Sequence, residues 1–534
     1  MNKIKSLFAF LIISTSVYCQ THFTVEIDYN NYGPTSKYRS GVTHTQETAD
    51  PWGKEAALVS AKNLLEQSCH YQNQHIMGWG AGNPWPDSTV TNSDNWDWNS
   101  LDRRINLMRE TNGELIITLC GCPTWMHSPE KNGTTDWNEL EAAPKPERYK
   151  KFAHLCAEVA RRYPDVENFQ VWNEMKGFWN SSLNRWDYEG YTKMYNLVYD
   201  SLMIVNPNLK LGGPYPVVST YSTKKSFTSN IGGTYGWFDQ RPLDVITYWL
   251  NNKKGGHFIC IDGNTKNKDD IWNTNAIDAA DKFKDISDWI RTQPNGGAEL
   301  DIWWSEWYAT PSPSDEADNP DALDAIMSSC LIKTIQAGVA NVLIWQPEGD
   351  ADGFSHPLGI WTSTKINGGG QATPYYDSHK ILNDYFGSGT ELVNYTVDKK
   401  GLNLLVSRDD IFVVNELNQS ITVSLDQHGD ISLLPYETKL LGNYTNIINT
   451  YSHNQLQVSY SSENQLLTID CKKQRTQALH VEIYTINGRL IFKDRLNKPN
   501  ERQSINISHL KNGMYIYRIV GENQSLLNGK FIKQ

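Results

Sequence analysis

Two short segments of the chain end in a glutamate set behind aromatic and β-branched residues: Phe169-Gln-Val-Trp-Asn-Glu174 and Asp301-Ile-Trp-Trp-Ser-Glu306. Each reads as a strand whose last side chain is an acid. Two carboxyls brought face to face are what cleavage of a glycosidic bond requires. One protonates the leaving oxygen, and the other attacks the anomeric carbon or activates a water. The pair works only if its surroundings separate the two pKa values, the acid raised and its partner kept ionised. Asn173, beside Glu174, is placed to hydrogen-bond a sugar 2-hydroxyl. One Glu at a strand end is ordinarily a solvated acid. Two in matching settings point to a site.

Further candidates surround this pair. Trp125 and His127 follow a third strand-like segment and could line the sugar subsite, although a histidine there also serves as a satisfied structural group. Trp179 and Trp186 flank the Glu174 loop. Trp179 offers a ring for stacking on a sugar face, whereas Trp186 is expected to pack on the next helix. Trp172 and Trp304 are expected in the core, with Trp307 and Tyr308 nearer the sugar. Trp345 ends the last strand-like run and would floor the site or pack in the core. The run Glu348–His356 is rich in acids but lacks calcium-loop spacing, so it reads as a sugar-contacting or solvated loop.

The elements that must carry these residues alternate. Candidate strands are His70–Met77, Glu114–Leu119, Asn168–Trp172, Leu209–Gly212, Phe258–Ile261, Leu300–Trp304 and Ala340–Trp345, with an earlier one within Phe23–Val42. Between them lie helical stripes. Phe152, Leu155, Cys156, Val159 and Tyr163 recur at helical spacing before Pro164. Tyr191, Met194, Tyr195, Val198 and Leu202 form another stripe, and Ile277–Ile290 and Leu323–Ile335 two more. Strands alternating with helices argue for a parallel sheet, and eight such units over roughly 340 residues for a (β/α)8 barrel. A doubly wound sheet is the alternative, but no Gly-rich phosphate loop follows a strand. Four segments, Gly78–Asn99, Gly121–Pro144, Tyr215–Asp244 and Gln346–Tyr376, are long for loops. In a barrel all four would crowd the C-terminal face, where active sites are built.

Composition narrows the function. The 534 residues carry a net charge of −11, against a nucleic-acid partner, and only 20% charged residues, against charge-driven disorder. Of the 19 tryptophans none lies beyond Trp361, so the chain is divided into an aromatic-rich part and a plain remainder. Lys3 and Lys5 followed by the apolar run Leu7–Val17 read as a signal peptide over residues 1–19. No other run is apolar enough to predict a membrane span in the mature chain. Removing that peptide leaves seven cysteines, an odd number, so buried free thiols are expected rather than a disulfide framework. No metal-ligand cluster has recognisable spacing, and the hydrolytic chemistry calls for no cofactor or metal. Beyond Phe386 the pattern changes to alternating strands at Leu402–Ser407, Ile411–Asn415 and Ile421–Leu425, divided by Asp, Asn and Gly turns. The expected organisation is a catalytic barrel over 20–386, an accessory β-sandwich over 387–447 and an all-β block over 448–534.

The Asn-Glu pair on the fourth barrel strand and the Glu on the seventh resemble the retaining glycoside hydrolases of clan A. Gly212-Gly-Pro214 after strand five and the overall length are most similar to glycoside hydrolase family 39, which includes β-xylosidases and α-L-iduronidases. The resemblance covers roughly residues 40–440. It implies Glu174 as acid/base, Glu306 as nucleophile, double displacement with net retention, and carboxyls ~5–5.5 Å apart. Two departures stand out. Where such enzymes commonly carry a His and an aromatic after strand six, this chain has Phe258-Ile-Cys-Ile-Asp-Gly-Asn264, placing Asp262 and Asn264 there. The segment Gln74-His-Ile-Met-Gly-Trp79 lacks the Arg frequent near strand two. Both departures bear on sugar identity more than on the reaction, and Asp262 is counted among the sugar contacts.

Three C-terminal segments, Val481-Glu-Ile-Tyr-Thr-Ile-Asn-Gly-Arg-Leu490, Leu510-Lys-Asn-Gly-Met-Tyr-Ile-Tyr517 and Gly529-Lys-Phe-Ile-Lys533, resemble the sorting domain of the type IX secretion system. Their Asn-Gly pairs favour hairpins. The resemblance implies passage through the periplasm and outer membrane, with type IX machinery as partner, to a secreted or cell-surface site. A polysaccharide-binding sandwich is the alternative, disfavoured by the lack of Trp. The sequence thus predicts a secreted retaining glycosidase, β-xylosidase-like, acting on oligo- or polysaccharide. An endo-acting hydrolase of agar, carrageenan or hemicellulose and a non-catalytic carbohydrate-binding barrel are the alternatives.

Overall fold

The structure is a computed structural model that describes residues 21–45, 53–78, 80–349, 359–425, 429–442, 451–453, 456–461, 465–471, 479–485, 489–496, 503–511, 513–520 and 525–533. The expected signal peptide, Trp79 and most of the Glu348–His356 loop lie outside the described residues.

Eight parallel strands close into a barrel in chain order: β1 (Arg39–Thr43), β2 (Tyr71–His75), β3 (Glu114–Leu119), β4 (Asn168–Val171), β5 (Lys210–Val217), β6 (Phe258–Asn264), β7 (Asp301–Tyr308) and β8 (Asn341–Trp345). β8 pairs back onto β1 with Trp345 opposite Thr43. The helices α1 (Glu55–Ser68), α2 (Asn99–Glu110), α3 (Tyr149–Arg162), α4 (Tyr188–Val205), α5 (Gln240–Asn252), α6 (Asp281–Arg291), α7 (Pro320–Gln336) and α8 (Pro374–Phe386) follow the strands. This is the (β/α)8 barrel that the alternation predicts.

Local chemistry explains the helices. α3 buries Phe152, Leu155, Cys156 and Val159, the predicted stripe, and Tyr163 caps its end. α4 starts where the Asp187 side chain accepts from the Gly190 N–H, and it buries Tyr191, Met194, Tyr195, Val198 and Leu202. The expected helix Ile277–Ile290 is broken into a single turn, Ala276–Ala279, and α6, which begins after Ala280. The barrel interior is filled by Tyr71, Ile116, Tyr215, Phe258, Cys260, Trp303 and Leu343. Six cysteines, Cys69, Cys120, Cys122, Cys156, Cys260 and Cys330, are buried free thiols, as the odd count predicts.

The expected strand within Phe23–Val42 resolves into two. Its second half is β1. Its first half, Thr21–Thr35, is outside the barrel and pairs antiparallel with Glu391–Val397 and parallel with Ile421–Leu425. Gly429–Leu433 completes this sheet, and Leu402–Val406, Asp410–Asn415 and Thr438–Gly442 form a second one facing it. The sandwich thus takes one strand from before the barrel, beside those that follow residue 386. The reason is burial: Phe23, Val25 and Ile27 alternate inward against Val393, Leu404, Val413 and Val423. The opposite face of the second sheet, through Leu405, Phe412 and Val414, joins the barrel core.

The described strands between residues 451 and 533 form two further antiparallel sheets. Their core of Val458, Leu467, Ile469, Val481, Ile483, Tyr517 and Ile519 is separate from that of the barrel. No helix among the described residues is long and apolar enough to cross a membrane.

Candidate active site

Glu306 reaches the barrel mouth because of one extra residue. β7 alternates, with Trp303 inward on Phe258 (centroids 3.7 Å apart) and Trp304 outward on Phe283 of α6 (4.9 Å). Strict alternation would then turn Ser305 inward and Glu306 outward. The ladder to β6 instead slips by one: Ile261 pairs with Trp304, but Asp262 pairs with Glu306. That bulge at Ser305 resets the parity, so Glu306 joins the inward side and Trp307 the outward. Trp307 is accordingly fully buried near Phe283, not at the sugar side where the sequence reading set it.

Glu306 is fixed by two side chains on one oxygen. His44 Nε2 lies 2.9 Å and Asn173 Nδ2 3.0 Å from its Oε1, and Oε2 carries neither contact. His44 follows β1 in the left-handed region (φ 60°) and lies over His75 at the end of β2, centroids 4.6 Å apart. Burial, then the charges of His44, Lys176 and Arg104, hold the His75 imidazole well below its ordinary pKa.

Glu174 stands on a different support. The turn after β4 has Trp172, Glu174 and Met175 at φ 71°, 50° and 56°. Non-glycine residues in that region each cost on the order of 1–3 kcal/mol and persist where the surroundings impose them. The turn is pinned by the Trp172 indole donating to the Lys176 carbonyl (2.8 Å) and by the β3 loop above it. A Cβ on Gly177 (φ 74°) would come within 2.2 Å of Ala143 N, so only glycine admits that loop. The loop brings Glu141 to Lys176 (3.2 Å), and Lys176 Nζ is 2.7 Å from Glu174.

Asp262 completes the centre. One carboxyl oxygen from each of Glu174, Asp262 and Glu306 lies within 4.8 Å of the other two. Asp262 is 4% exposed, and burial, then the charges of Glu174 and Glu306 and its hydrogen bond to Glu174, push its pKa well above the carboxylate range. Burial acts upward on Glu174 too. Its hydrogen bond with Asp262 and the Lys176 ammonium outweigh that, and Glu174 is held below its ordinary value. The sequence reading expected the raised carboxyl to be Glu174; the raised one is Asp262, because the ammonium sits beside Glu174 and not beside it. His44, His75 and Glu306 form a second trio within 4.8 Å.

The remaining candidates divide. Asn173 is buried against Glu306. Tyr308 and Trp345 are partly exposed and 5.2 Å apart, with Trp345 edge-on to His44 at 6.4 Å and Asn264 Nδ2 2.9 Å from the Tyr308 hydroxyl. Trp125 is not at the site. It is buried in a cluster with Trp85 (4.9 Å), which stacks on Trp96 (4.4 Å), and its indole donates to the Trp85 carbonyl. The tryptophans of these two loops therefore brace the loops. His127 sits over a narrow cleft with Met77, Cys122 and Glu139, 3.4 Å from Glu139 and apart from the carboxyl centre. Trp179 is exposed and edge-on to Trp186 at 5.2 Å. Trp186, expected on the next helix, lines a groove of about 400 Å³ that runs from Glu174 past Val218, Asn264 and Lys268. Glu348 is buried and accepts from Thr364 Oγ1 (2.6 Å), so its acid is a loop anchor.

Sequence reasoning missed His44, Tyr215 and Lys176. Tyr215 follows the Gly-Gly-Pro run, and its buried phenol is raised by burial and then by Glu306, Asp262 and Glu174. The signal available for Lys176 was a lysine two residues beyond a candidate acid, and for His44 a histidine directly after an apolar strand.

The fold is shared with glycoside hydrolases. A GH39 enzyme from Xanthomonas axonopodis pv. citri has a TM-score of 0.50 at 14% identity, over 97% of this chain and 99% of that one. A glucosidase from Croceicoccus marinus gives 0.50 at 12%, over 96% and 98%. SrfJ from Salmonella typhimurium gives 0.52 at 13%, over 79% and 93%. At these identities the likeness is one of fold. Residues 461–534 match the family model of the secretion system C-terminal sorting domain. No curated protein matches the chain.

Proposed function

We propose that the chain is an exported retaining glycoside hydrolase, with Glu306 as nucleophile and Glu174 as acid/base. The observation that carries this reading is the close approach of the two carboxyls, with one oxygen of Glu174 within 4.8 Å of one of Glu306. Retaining enzymes hold their carboxyls ~5–5.5 Å apart, whereas inverting ones leave ~6.5–9.5 Å for a water. In the first step Glu306 Oε2 bonds the anomeric carbon as Glu174 delivers a proton to the leaving oxygen. In the second, Glu174 takes a proton from water, whose oxygen displaces Glu306. His44 and Asn173 orient Glu306 through Oε1, and Asn173 is placed to meet the sugar 2-hydroxyl. Tyr308, Trp345 and Trp179 are the remaining sugar contacts of this reading, and the groove beside Trp186 receives the leaving group. The reaction uses no cofactor.

The substrate class is an oligo- or polysaccharide, β-xylosidase-like by resemblance. An endo-acting hydrolase is the second reading, favoured by the groove extending beyond Glu174 toward Asp270. The sorting domain supports export by the type IX route, through the periplasm and outer membrane, to a secreted or surface location.

The test is hydrolysis of nitrophenyl xyloside, arabinoside, galactoside, glucoside and fucoside by the full chain, with Glu306→Ala beside it. Release by the parent and not by the variant supports the reading. Silence on the panel moves the assay to xylan, agar and carrageenan. Silence there too would favour a carbohydrate-binding barrel.

A further inference from the structure

A two-carboxyl mechanism leaves Asp262 without a role, yet it is the least exposed of the three carboxyls. It sits on β6 opposite Glu306 in the ladder, at the bulge that aims Glu306 inward. It is 4% exposed, and its Oδ2 has no hydrogen-bond partner. The groups facing it are Glu174 and Lys176 from the β4 turn, Tyr215 from β5, Glu306 and Tyr308 from β7, and Cys260 on its own strand. His44 and His75 lie one step further, beyond Glu306. The nearest contact of Lys176 is Glu174, and that of the His44 imidazole is Glu306. Three like charges this close, with Asp262 and Glu306 buried, disfavour full ionisation, so one carboxyl keeps a proton. Lys176 stabilises the ionised form of Glu174, and His44 and Asn173 both hydrogen-bond Glu306. Asp262 has no such partner.

We propose that Asp262 holds, as a carboxylic acid, the proton that Glu174 delivers to the leaving oxygen, so that the reaction runs on three carboxyls sharing one proton. The proposal rests on the assignment of Glu174 and Glu306 made above. At rest Asp262 donates its O–H to the Glu174 carboxylate, and the three groups carry two negative charges. The proton crosses that hydrogen bond, and Glu174 passes it to the glycosidic oxygen as the carbon–oxygen bond breaks. The electron pair of that bond leaves with the departing alcohol, and Glu306 forms its ester with the anomeric carbon. The centre still carries two negative charges, now on Glu174 and Asp262. Glu174 then takes a proton from the attacking water, the water oxygen bonds the anomeric carbon, and Glu306 leaves as a carboxylate. The proton returns to Asp262. Asp262 is thus a positioning and proton-storing residue that acts through Glu174.

Asp262→Asn keeps the volume and the hydrogen bond to Glu174 but cannot release a proton. Asp262→Glu keeps a protonatable carboxyl. The first arm needs no substrate: infrared difference spectra at neutral pH of the full-length parent minus each variant. A protonated-carboxyl C=O band lost in Asp262→Asn and present in Asp262→Glu is the expected result, and no difference between parent and Asp262→Asn overturns the proposal. The second arm is the pH profile of kcat/KM on the nitrophenyl glycoside that the parent cleaves. In Asp262→Asn the alkaline limb moves to lower pH, because Glu174 then titrates alone beside Lys176. The rate at neutral pH falls by about 10²-fold or more, the range of general acid catalysis, and Asp262→Glu recovers part of it. An unmoved limb with an unchanged rate overturns the proton-storing role even where the infrared band is lost. If Glu306→Ala stayed active, the assignment beneath the proposal would fall instead, so the two failures are distinguishable.

Discussion

Glu174 and Glu306 are the same residue at the same kind of place, the C-terminal end of a barrel strand, and the fold treats them in opposite ways. Glu306 belongs to a regular strand with one inserted residue, and a histidine and an amide hold one of its oxygens. Glu174 rides a turn of left-handed residues kept in place by a neighbouring loop, with an ammonium on one side and the buried Asp262 carboxyl on the other. In the proposed mechanism the first setting holds the nucleophile in one position. The second controls where a proton resides. The difference teaches that a carboxyl pair is divided into roles less by the residues themselves than by which of them is given a cation.

The strongest way to break this comparison is to exchange the consequences of losing either acid. Glu306→Ala should lower kcat by a factor on the order of 10⁴ or more on every substrate, because covalent catalysis is lost as a unit. Added azide should restore turnover as a glycosyl azide of inverted configuration, identified by mass spectrometry and NMR. Glu174→Ala should cost about 10²–10⁴-fold on nitrophenyl glycosides of poor leaving ability. On a dinitrophenyl glycoside, whose leaving group needs no proton, the loss of the first step should be much smaller. Equal losses on both leaving groups would count against Glu174 as the acid.

A smaller effect sharpens the contrast. Lys176 lowers the Glu174 pKa, so Lys176→Met should raise it. The first step needs the shared proton on the enzyme, so a higher pKa extends activity upward and moves the alkaline limb of kcat/KM to higher pH. Asp262→Asn moves the same limb down. Two substitutions a few ångströms apart should therefore shift one titration in opposite directions, and shifts of the same sign would contradict the account of the centre. The smallest effect is expected in the groove. Trp186→Ala should raise KM by roughly 3- to 10-fold with kcat little changed, about 1 kcal/mol of binding felt equally in ground and transition state.

Much of this arrangement was legible locally. The α3 and α4 stripes come from the 3.6-residue period, and the strand ends carrying Glu174 and Glu306 from apolar runs interrupted by acids. What was not legible is instructive at Trp307. Its place beside Tyr308 and the acid suggested a sugar contact, but the bulge at Ser305 inverts the alternation and buries it on α6. Trp125 misled for a related reason: an indole in a long loop looks like a platform until another loop supplies Trp85 and Trp96 to cover it.

By itself the sequence determined the alternation of strands and helices, the two acids at matched strand ends, the free cysteines and the separate C-terminal block, because each is written in the period or spacing of neighbouring residues. Tertiary structure alone decided that Thr21–Thr35 leaves the barrel for the sandwich, that His44 from β1 and Asn173 from β4 meet on one oxygen of Glu306, and that Asp262 rather than Glu174 is the carboxyl raised by its surroundings. The physical reason is common to all three. Ladder register, hydrogen-bond partners and the cost of burying a charge depend on groups tens to hundreds of residues away. They become properties of a residue only when the barrel closes around it.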